Sequence, residues 1–236
     1  MTITYPIDFP TDVGLTDSVL RIRTSNARSE SPFSFSEQVY SWAGQRWEIE
    51  VQLPRMLRDQ AEIYHCFLMK LKGRKGTFTM FVPSAQTARG VYSQTESIHI
   101  TTESGDKITT ESGDHIIISY GNIVVNGANQ TGDTLNVDGF KANTTSVLRC
   151  GDFFQLGTGT NTRLYKILDD VNSDANGAAT LNIVPDLREA PLDNQQVILN
   201  NPKGLFRLAE NKIDMPSDYV NTFTLGFVAV EALDGT

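Results

Sequence analysis

Strict alternation of apolar and polar residues marks the segment GQRWEIEVQL, residues 44–53. The apolar residues of one parity are Trp47, Ile49, Val51 and Leu53. The polar residues of the other parity are Arg46, Glu48, Glu50 and Gln52. Because successive strand side chains point to opposite faces, this pattern predicts a half-buried strand with one polar face. Shorter alternating runs predict further strands at residues 17–25 and 76–83.

The segment PRMLRDQAEIYHCFLMKLKG follows and has the period of a helix. Its apolar residues recur at steps of three and four, at Leu57, Ala61, Tyr64, Phe67, Leu68 and Leu71. Pro54 suits a first helical position and Gly73 suits a stop, which predicts a helix over residues 54–72. A strand, a helix and a strand in close succession predict a helix that lies across a sheet.

The composition changes after Gly90, where short apolar runs alternate with turn signals rich in Gly, Asn, Asp and Thr. Many short strands at this spacing predict a small closed barrel. The final run NTFTLGFVAVEAL is too long and apolar to stand alone, so it is expected to complete the first sheet. The sequence therefore predicts one β domain from residues 1–90 and 199–236, interrupted by an inserted barrel domain over residues 91–198.

The hexad TTESGD occurs twice between residues 101 and 114, with an offset of eight residues. Isoleucines flank each copy, and Gly105 and Gly113 stand where tight turns need a positive φ. This pattern predicts a β-meander arm over residues 95–119. A calcium-binding β-helix would require more glycines and more copies, and β-branched flanks disfavour disorder.

The net charge of -8 disfavours a protein that grips nucleic acid through its phosphates, which needs clustered cations. The two cysteines, Cys66 and Cys150, form no C-x-x-C pair and are interpreted as reduced structural residues, with Cys66 packed in the core. We find neither a signal-peptide pattern nor an apolar run of membrane-spanning length, so synthesis in a cytoplasm is expected.

The candidate chemistry in the sequence is sparse. His65, His99 and His115 have no zinc-ligand spacing and are predicted to be exposed polar residues, and no G-x-S-x-G motif is present. The run DDVNSDANG, residues 169–177, resembles half of a calcium loop, but a turn between strands is the better interpretation. The sequence predicts no catalytic residue, no metal and no cofactor, and favours a binding or structural protein.

The order of several motifs resembles a known family. Residues 44–78 contain G-x-x-W, then L-P-x-M, a helix and L-x-G-x-x-G-x-F. The stretches VNGANQTGDTLNVDGF, LRCGDFFQLG and NPKGLFRLAEN follow in the same order. This arrangement resembles the distal tail proteins found at the tail tip of long-tailed, siphovirus-like bacteriophages.

The resemblance implies a mainly β fold: a tube-like β-sandwich or split barrel with one flanking helix, plus an inserted small OB-like β-barrel. It implies a non-enzymatic structural protein of the virion tail tip or baseplate, made in the host cytoplasm. It also implies a homo-oligomer, usually a hexameric ring, that joins the tail-tube protein to hub and fibre proteins and lets DNA pass. Sequence-specific nucleic acid binding is not expected.

Within such a ring, Glu48, Glu50 and Gln52 are the candidate channel-lining residues, because an acidic wall lets phosphates slide without adhering. The alternative is that these residues simply face solvent. A tail-tube subunit and a carbohydrate- or receptor-binding tail module stay open as other functions. Glycan binding would require an exposed aromatic platform, whereas Phe153, Phe154 and Tyr165 are predicted to be core residues. A cell-wall hydrolase lacks the expected acid–base signature.

Overall fold

The computed structural model describes residues 3–91, 97–99, 102, 108–111, 117–119, 122–214 and 222–233. The protein is mainly β, with one α-helix, α1 (Arg58–Leu71), in this part of the chain, as the sequence predicted. The strands are β1 (Ile7–Asp8), β2 (Asp17–Glu30), β3 (Glu37–Gln52), β4 (Phe78–Phe81), β5 (Ser97–His99), β6 (Ile117–Ser119), β7 (Val124–Val125), β8 (Thr134–Asp138), β9 (Phe153–Leu156), β10 (Arg163–Ile167), β11 (Ala179–Val184), β12 (Val197–Ile198), β13 (Lys203–Leu208) and β14 (Gly226–Glu231).

The chain divides into two compact units. Unit 1 comprises Met1–Ser84, Thr158–Arg163 and Lys203–Thr236, and unit 2 comprises Ala85–Gly157 and Leu164–Pro202. Leu199 and Asn201, which lie just before the last boundary, belong with unit 2. Asn201 donates its backbone N–H to the carbonyl of Gln86 (2.7 Å), and Leu199 is buried in the unit 2 core. The assignment of these units as a tube-like domain and an inserted module stays a prediction.

Unit 1 contains a six-stranded sheet with the strand order β1-β4-β13-β14-β3-β2. The predicted apolar face of β3 is confirmed, since Trp47, Ile49, Val51 and Leu53 are each at most 4% exposed. The final strand β14 pairs antiparallel with β3, with Phe227 opposite Val51. Distant parts of the sequence therefore share one sheet and one core, on which α1 buries the predicted apolar stripe apart from Leu57. Leu57 precedes the first residue of the helix and is 68% exposed.

The helix begins at Arg58, so the predicted start at Pro54 is wrong. Met56 instead makes a two-way backbone bridge with Phe223, with N–H to carbonyl distances of 2.9 and 3.0 Å. Because the backbone N–H and carbonyl of Met56 are both paired with Phe223, they are not available for the hydrogen bonds of a helical turn. At the other end the left-handed backbone conformation begins at Lys72, one residue before Gly73.

Three further side chains differ from their predicted environments. His65 is 3% exposed rather than exposed, because it lies on the edge of the buried helix stripe with its ring 5.9 Å from the Phe223 ring. Cys66, next to it in sequence, turns outward and is exposed, so it is not a packed core residue. Cys150 is also exposed, and both thiols are free.

Unit 2 contains a nearly closed, barrel-like sheet with the order β12-β9-β10-β11-β8-β7. Backbone contacts between Val124 and Gln196 bring the two ends of the sheet together. The core includes Phe154 and Tyr165, whose rings stack 5.3 Å apart, and Phe153 is 7% exposed. These three aromatic residues are buried as predicted.

The predicted turn at residues 169–177 is confirmed in its second half. The Asp174 carboxylate accepts backbone N–H groups of Asn176 and Ala178, both at 2.8 Å, and Gly177 has a φ of 78°. The carboxylate thus closes a turn before β11.

The described part of the TTESGD region is small. β5 and β6 pair antiparallel, with Ile98 opposite Ile118. Most of the repeat, including Gly105, Gly113 and His115, lies outside the described residues, and so does the side chain of His99. The β-meander arm therefore stays a prediction.

Candidate assembly surface

The predicted channel-lining residues lie together on the outer face of the unit 1 sheet, opposite the core. Glu48 and Glu50 are partly exposed and Gln52 is exposed. Their direct cross-strand neighbours on β14 are Val230, Val228 and Gly226. The strand pattern therefore brings all three polar side chains to one surface, while their role in a channel stays a prediction.

Arginines of β2 share this outer face and change its charge. Arg21 lies opposite Glu48 and makes an ion pair with Glu50, with 2.9 Å between Nη2 and Oε2. One step further along, Arg23 lies directly opposite Arg46. Two like charges in direct cross-strand positions repel each other. The outer face therefore carries both acidic and basic side chains.

The hairpin of β2 and β3 extends far beyond the rest of the sheet. We call residues 23–46 the arm. The strands stay paired from Asp17 opposite Gln52 to Glu30 opposite Glu37, yet β14 accompanies β3 only as far as Glu48. At about 3.3 Å per residue, the arm projects by roughly 25 Å. It exposes large apolar side chains at Phe33 (95%), Phe35 (77%), Val39 (59%), Tyr40 (57%) and Trp42 (58%).

The two sides of the arm differ in chemistry. On the side continuous with the outer face, Tyr40 and Trp42 lie opposite the small residues Ala27 and Ser25. On the other side, Arg28 makes ion pairs with Glu30 (2.6 Å) and Glu37 (2.5 Å). The outer side of the arm is therefore aromatic, and its charged residues, Arg23 and Arg46, are both basic.

An irregularity in strand pairing lies at the base of the arm. The register of β2 and β3 shifts between Thr24 and Ser25, so that Ala43 and Gly44 of β3 have no direct partner. The glycine fits closely, because a Cβ at position 44 would lie 3.1 Å from the Cβ of Ser25. Such bulges increase strand twist and re-aim the chain.

A pocket of about 420 Å³ lies in unit 1 beside the first half of β14, where β13 has already ended. Its apolar lining includes Leu68, Leu208 and Phe227. Its polar lining contains three carboxylates, Glu50, Glu210 and Asp214, and one cation, Lys212. Lys212 pairs with Asp214, with 2.9 Å between Nζ and Oδ1, and this contact raises the pKa of the Lys212 ammonium. We call this cavity the carboxylate pocket.

The described residues hold no group of three His, Cys, Asp or Glu side chains placed to bind a metal ion. No described helix has the length and apolar character to cross a membrane.

Comparison with protein-family models finds a match to one part of the chain. Residues 115–201 match the model for the distal tail protein pb9, B domain. The matched residues make up less than half of the chain, and they support a distal tail protein of a phage. The resemblance seen in the sequence is thus confirmed, and the matched domain supports a structural role in the phage tail. No curated protein matches the chain.

The sequence interpretation missed the arm. Alternation in β2 and β3 predicts which face of each strand is buried, but it does not show where a hairpin extends beyond its sheet. A usable signal was present in TSNARSE, residues 24–30, which carries small or polar residues on both parities. When a strand that has no apolar face pairs with a strand that carries aromatic residues, the pattern indicates a hairpin that does not pack on the core of its own chain.

Proposed function

We propose that this distal tail protein is a structural subunit of a ring at the tail tip, which joins the tail tube to hub and fibre proteins and lets DNA pass. The observation that carries the proposal is the arm, a long hairpin with exposed aromatic residues on an open sheet edge. Exposed apolar surface of this extent is typical of interaction sites. The same proposal includes tail-tube, hub and fibre proteins as partners. It also includes a location in the virion and the absence of catalysis.

The strand order supports assembly by a heterologous contact. The sheet ends in β2, whose outer edge has no strand partner among the described residues. Open strand edges are surfaces that proteins cover or pair. A contact between two different surfaces of identical chains closes into a ring when the rotation is suitable. A hexamer is the stoichiometry expected from the family resemblance.

The test is an image of the assembled tail with this chain located. A tagged copy should appear as density at the distal end of the tail tube, in a closed ring of about six copies. A copy distributed along the tube would replace the proposal with a tail-tube subunit. Degradation of purified cell wall by the isolated chain would contradict the non-enzymatic role.

The channel-lining role of Glu48, Glu50 and Gln52 is a separate proposal within this ring. Repulsion of DNA by the two glutamates is weakened by the ion pair between Arg21 and Glu50. The double variant Glu48→Gln, Glu50→Gln should raise binding of double-stranded DNA to the assembled ring at low salt, since fewer carboxylates oppose the phosphates. Unchanged DNA binding would place these residues away from the channel.

A carbohydrate-binding role remains a second candidate because Tyr40 and Trp42 form the kind of exposed aromatic pair that such binding requires. They lie on the arm, whereas Phe153, Phe154 and Tyr165 of the barrel are buried. A glycan array probed with the full chain tests this role, with Trp42→Ala as the matched variant.

A further inference from the structure

We propose that the outer side of the arm of one copy docks over the carboxylate pocket of a second copy. The inference rests on the proposed ring and names the contact that joins its subunits. It assigns Arg23, Arg46, Tyr40 and Trp42 to one side of the interface. The pocket residues Glu50, Glu210 and Asp214 belong to the other side.

Charge complementarity selects the occupant. Among the ion pairs of the described residues, none involves Arg23 or Arg46, which face each other across the hairpin. The outer side of the arm thus presents two unpaired cations beside two aromatic rings. Of the three pocket carboxylates, Asp214 pairs with Lys212 and Glu50 pairs with Arg21. Glu210 takes part in no described ion pair or hydrogen bond, so it carries the uncompensated negative charge of the pocket. Contact between the two surfaces would relieve the arginine repulsion and complement the excess negative charge.

Size and polarity also match. The pocket volume of about 420 Å³ and its apolar lining from Leu68, Leu208 and Phe227 suit an aromatic side chain. Trp42 is 58% exposed and lies near the base of the arm, between Tyr40 and the pair of Arg23 and Arg46. Trp and Arg are the residue types most enriched among the energetically dominant positions of protein interfaces. Burial of one indole between charged flanks would give this contact its centre.

The arm cannot reach the pocket of its own chain. Gln52 lines the pocket, and Trp42 lies ten positions earlier on the same strand, about 30 Å away at the strand rise of ~3.3 Å per residue. The paired ladder of β2 and β3 holds these positions apart. A chain that carries a protruding group and a distant complementary cavity associates head to tail, which gives a ring or an open filament.

Site-directed cross-linking tests the contact. In a background with Cys66→Ser and Cys150→Ser, one preparation carries Ser25→Cys beside Trp42, and a second carries Thr224→Cys at the exposed rim of the pocket. The matched control is Asn26→Cys, which lies at the adjacent position on the other side of the arm. Mixed under mild oxidation, Ser25→Cys and Thr224→Cys should form a heterodimer at least about tenfold faster than Asn26→Cys and Thr224→Cys, because docking raises the effective thiol concentration.

Equal cross-linking rates for the two arm positions would overturn the inference. Faster cross-linking of Ser25→Cys with itself would also overturn it, in favour of contacts between two arms. Binding of a single-stranded oligonucleotide that Trp42→Ala abolishes, without the selective cross-link, would assign the arm to nucleic acid instead.

The outcomes also separate this contact from the ring itself. A closed ring in tail images without the selective cross-link means that other contacts build the ring, so this inference fails and the proposed function stands. A selective cross-link in a protein that forms filaments and no closed ring supports the contact and contradicts the ring. As a second readout, Trp42→Ala should slow the Ser25→Cys cross-link, while Val39→Ala, on the opposite side of the arm, should leave it unchanged.

Discussion

The carboxylate of Asp152 supports the described part of the barrel unit, and its removal should destabilise that unit. Its side chain is 1% exposed. One oxygen accepts the backbone N–H of Arg149 at 2.9 Å, and both oxygens accept the backbone N–H of Arg89 at 3.1 Å. The Arg89 guanidinium adds a further contact at 3.1 Å. The side chain therefore joins the start of unit 2 to the turn that precedes β9.

Asp152→Ala should lower the free energy of unfolding of unit 2 by about 2–4 kcal/mol. A backbone N–H left without an acceptor costs about 1–3 kcal/mol when buried, and hydrogen bonds to charged groups contribute more than neutral ones. Arg89 and Arg149 are both exposed residues, so water replaces part of what their N–H groups lose, although the carboxylate that they contact is buried. The Arg89 side-chain ion pair adds little because the guanidinium is 61% exposed.

Asp152→Asn should fall between the wild type and Asp152→Ala. The retained oxygen still accepts from Arg89, but an amide NH2 in place of the second oxygen meets the N–H of Arg149, donor against donor. The matched control is Asp133→Ala in the same unit, where the carboxylate is exposed and a change below about 0.5 kcal/mol is expected.

The measurement is denaturant unfolding of the full chain, with amide exchange of unit 2 to assign the transition. A loss of about 2–4 kcal/mol corresponds to a melting temperature lower by roughly 10 °C or more for a unit of this size. If Asp152→Ala costs less than about 1 kcal/mol, the carboxylate is not a support of the barrel and the reasoning is refuted.

Three further predictions concern other parts of the fold. The hydrogen bond from Lys203 (2.8 Å) chiefly holds the pKa of the Asp8 carboxyl below its ordinary value, so the pair stabilises unit 1 above about pH 4 and loses this effect as pH falls; Lys203→Met should flatten the fall in melting temperature between pH 6 and pH 3, and an unchanged pH profile would contradict this. Gly177→Ala should cost about 1–3 kcal/mol in thermal unfolding, because φ is 78° and the new Cβ would meet the Phe140 carbonyl; a melting temperature equal to the wild type would refute it. Both thiols should react with a disulfide reagent in the native protein, with one equivalent lost in Cys66→Ser, and protection of either thiol would show that it is covered.

Sequence periodicity predicted correctly those parts of the fold in which apolar side chains are buried by other residues of the same chain. The alternation around Trp47 gave the correct buried face, and the turn chemistry before Ala179 gave the correct strand end, because both depend on local backbone geometry and on the chain's own burial. The start of the helix failed for a non-local reason. Met56 pairs with Phe223, which is far away in sequence, and no local signal near Pro54 reports that pairing.

The arm is a second feature that local sequence patterns did not predict. Interpretation of β2 and β3 from alternation assumes that an apolar side chain is buried by its own chain. Tyr40 and Trp42 lie on a regular strand and are more than half exposed, so their periodicity is correct and the assumption behind it fails. An apolar residue at a strand position predicts burial, but it does not predict by which molecule. For the proposed assembly, the most informative residues are therefore those for which strand periodicity is satisfied and burial within the chain is not, and these include Tyr40 and Trp42 on the outer side of the arm.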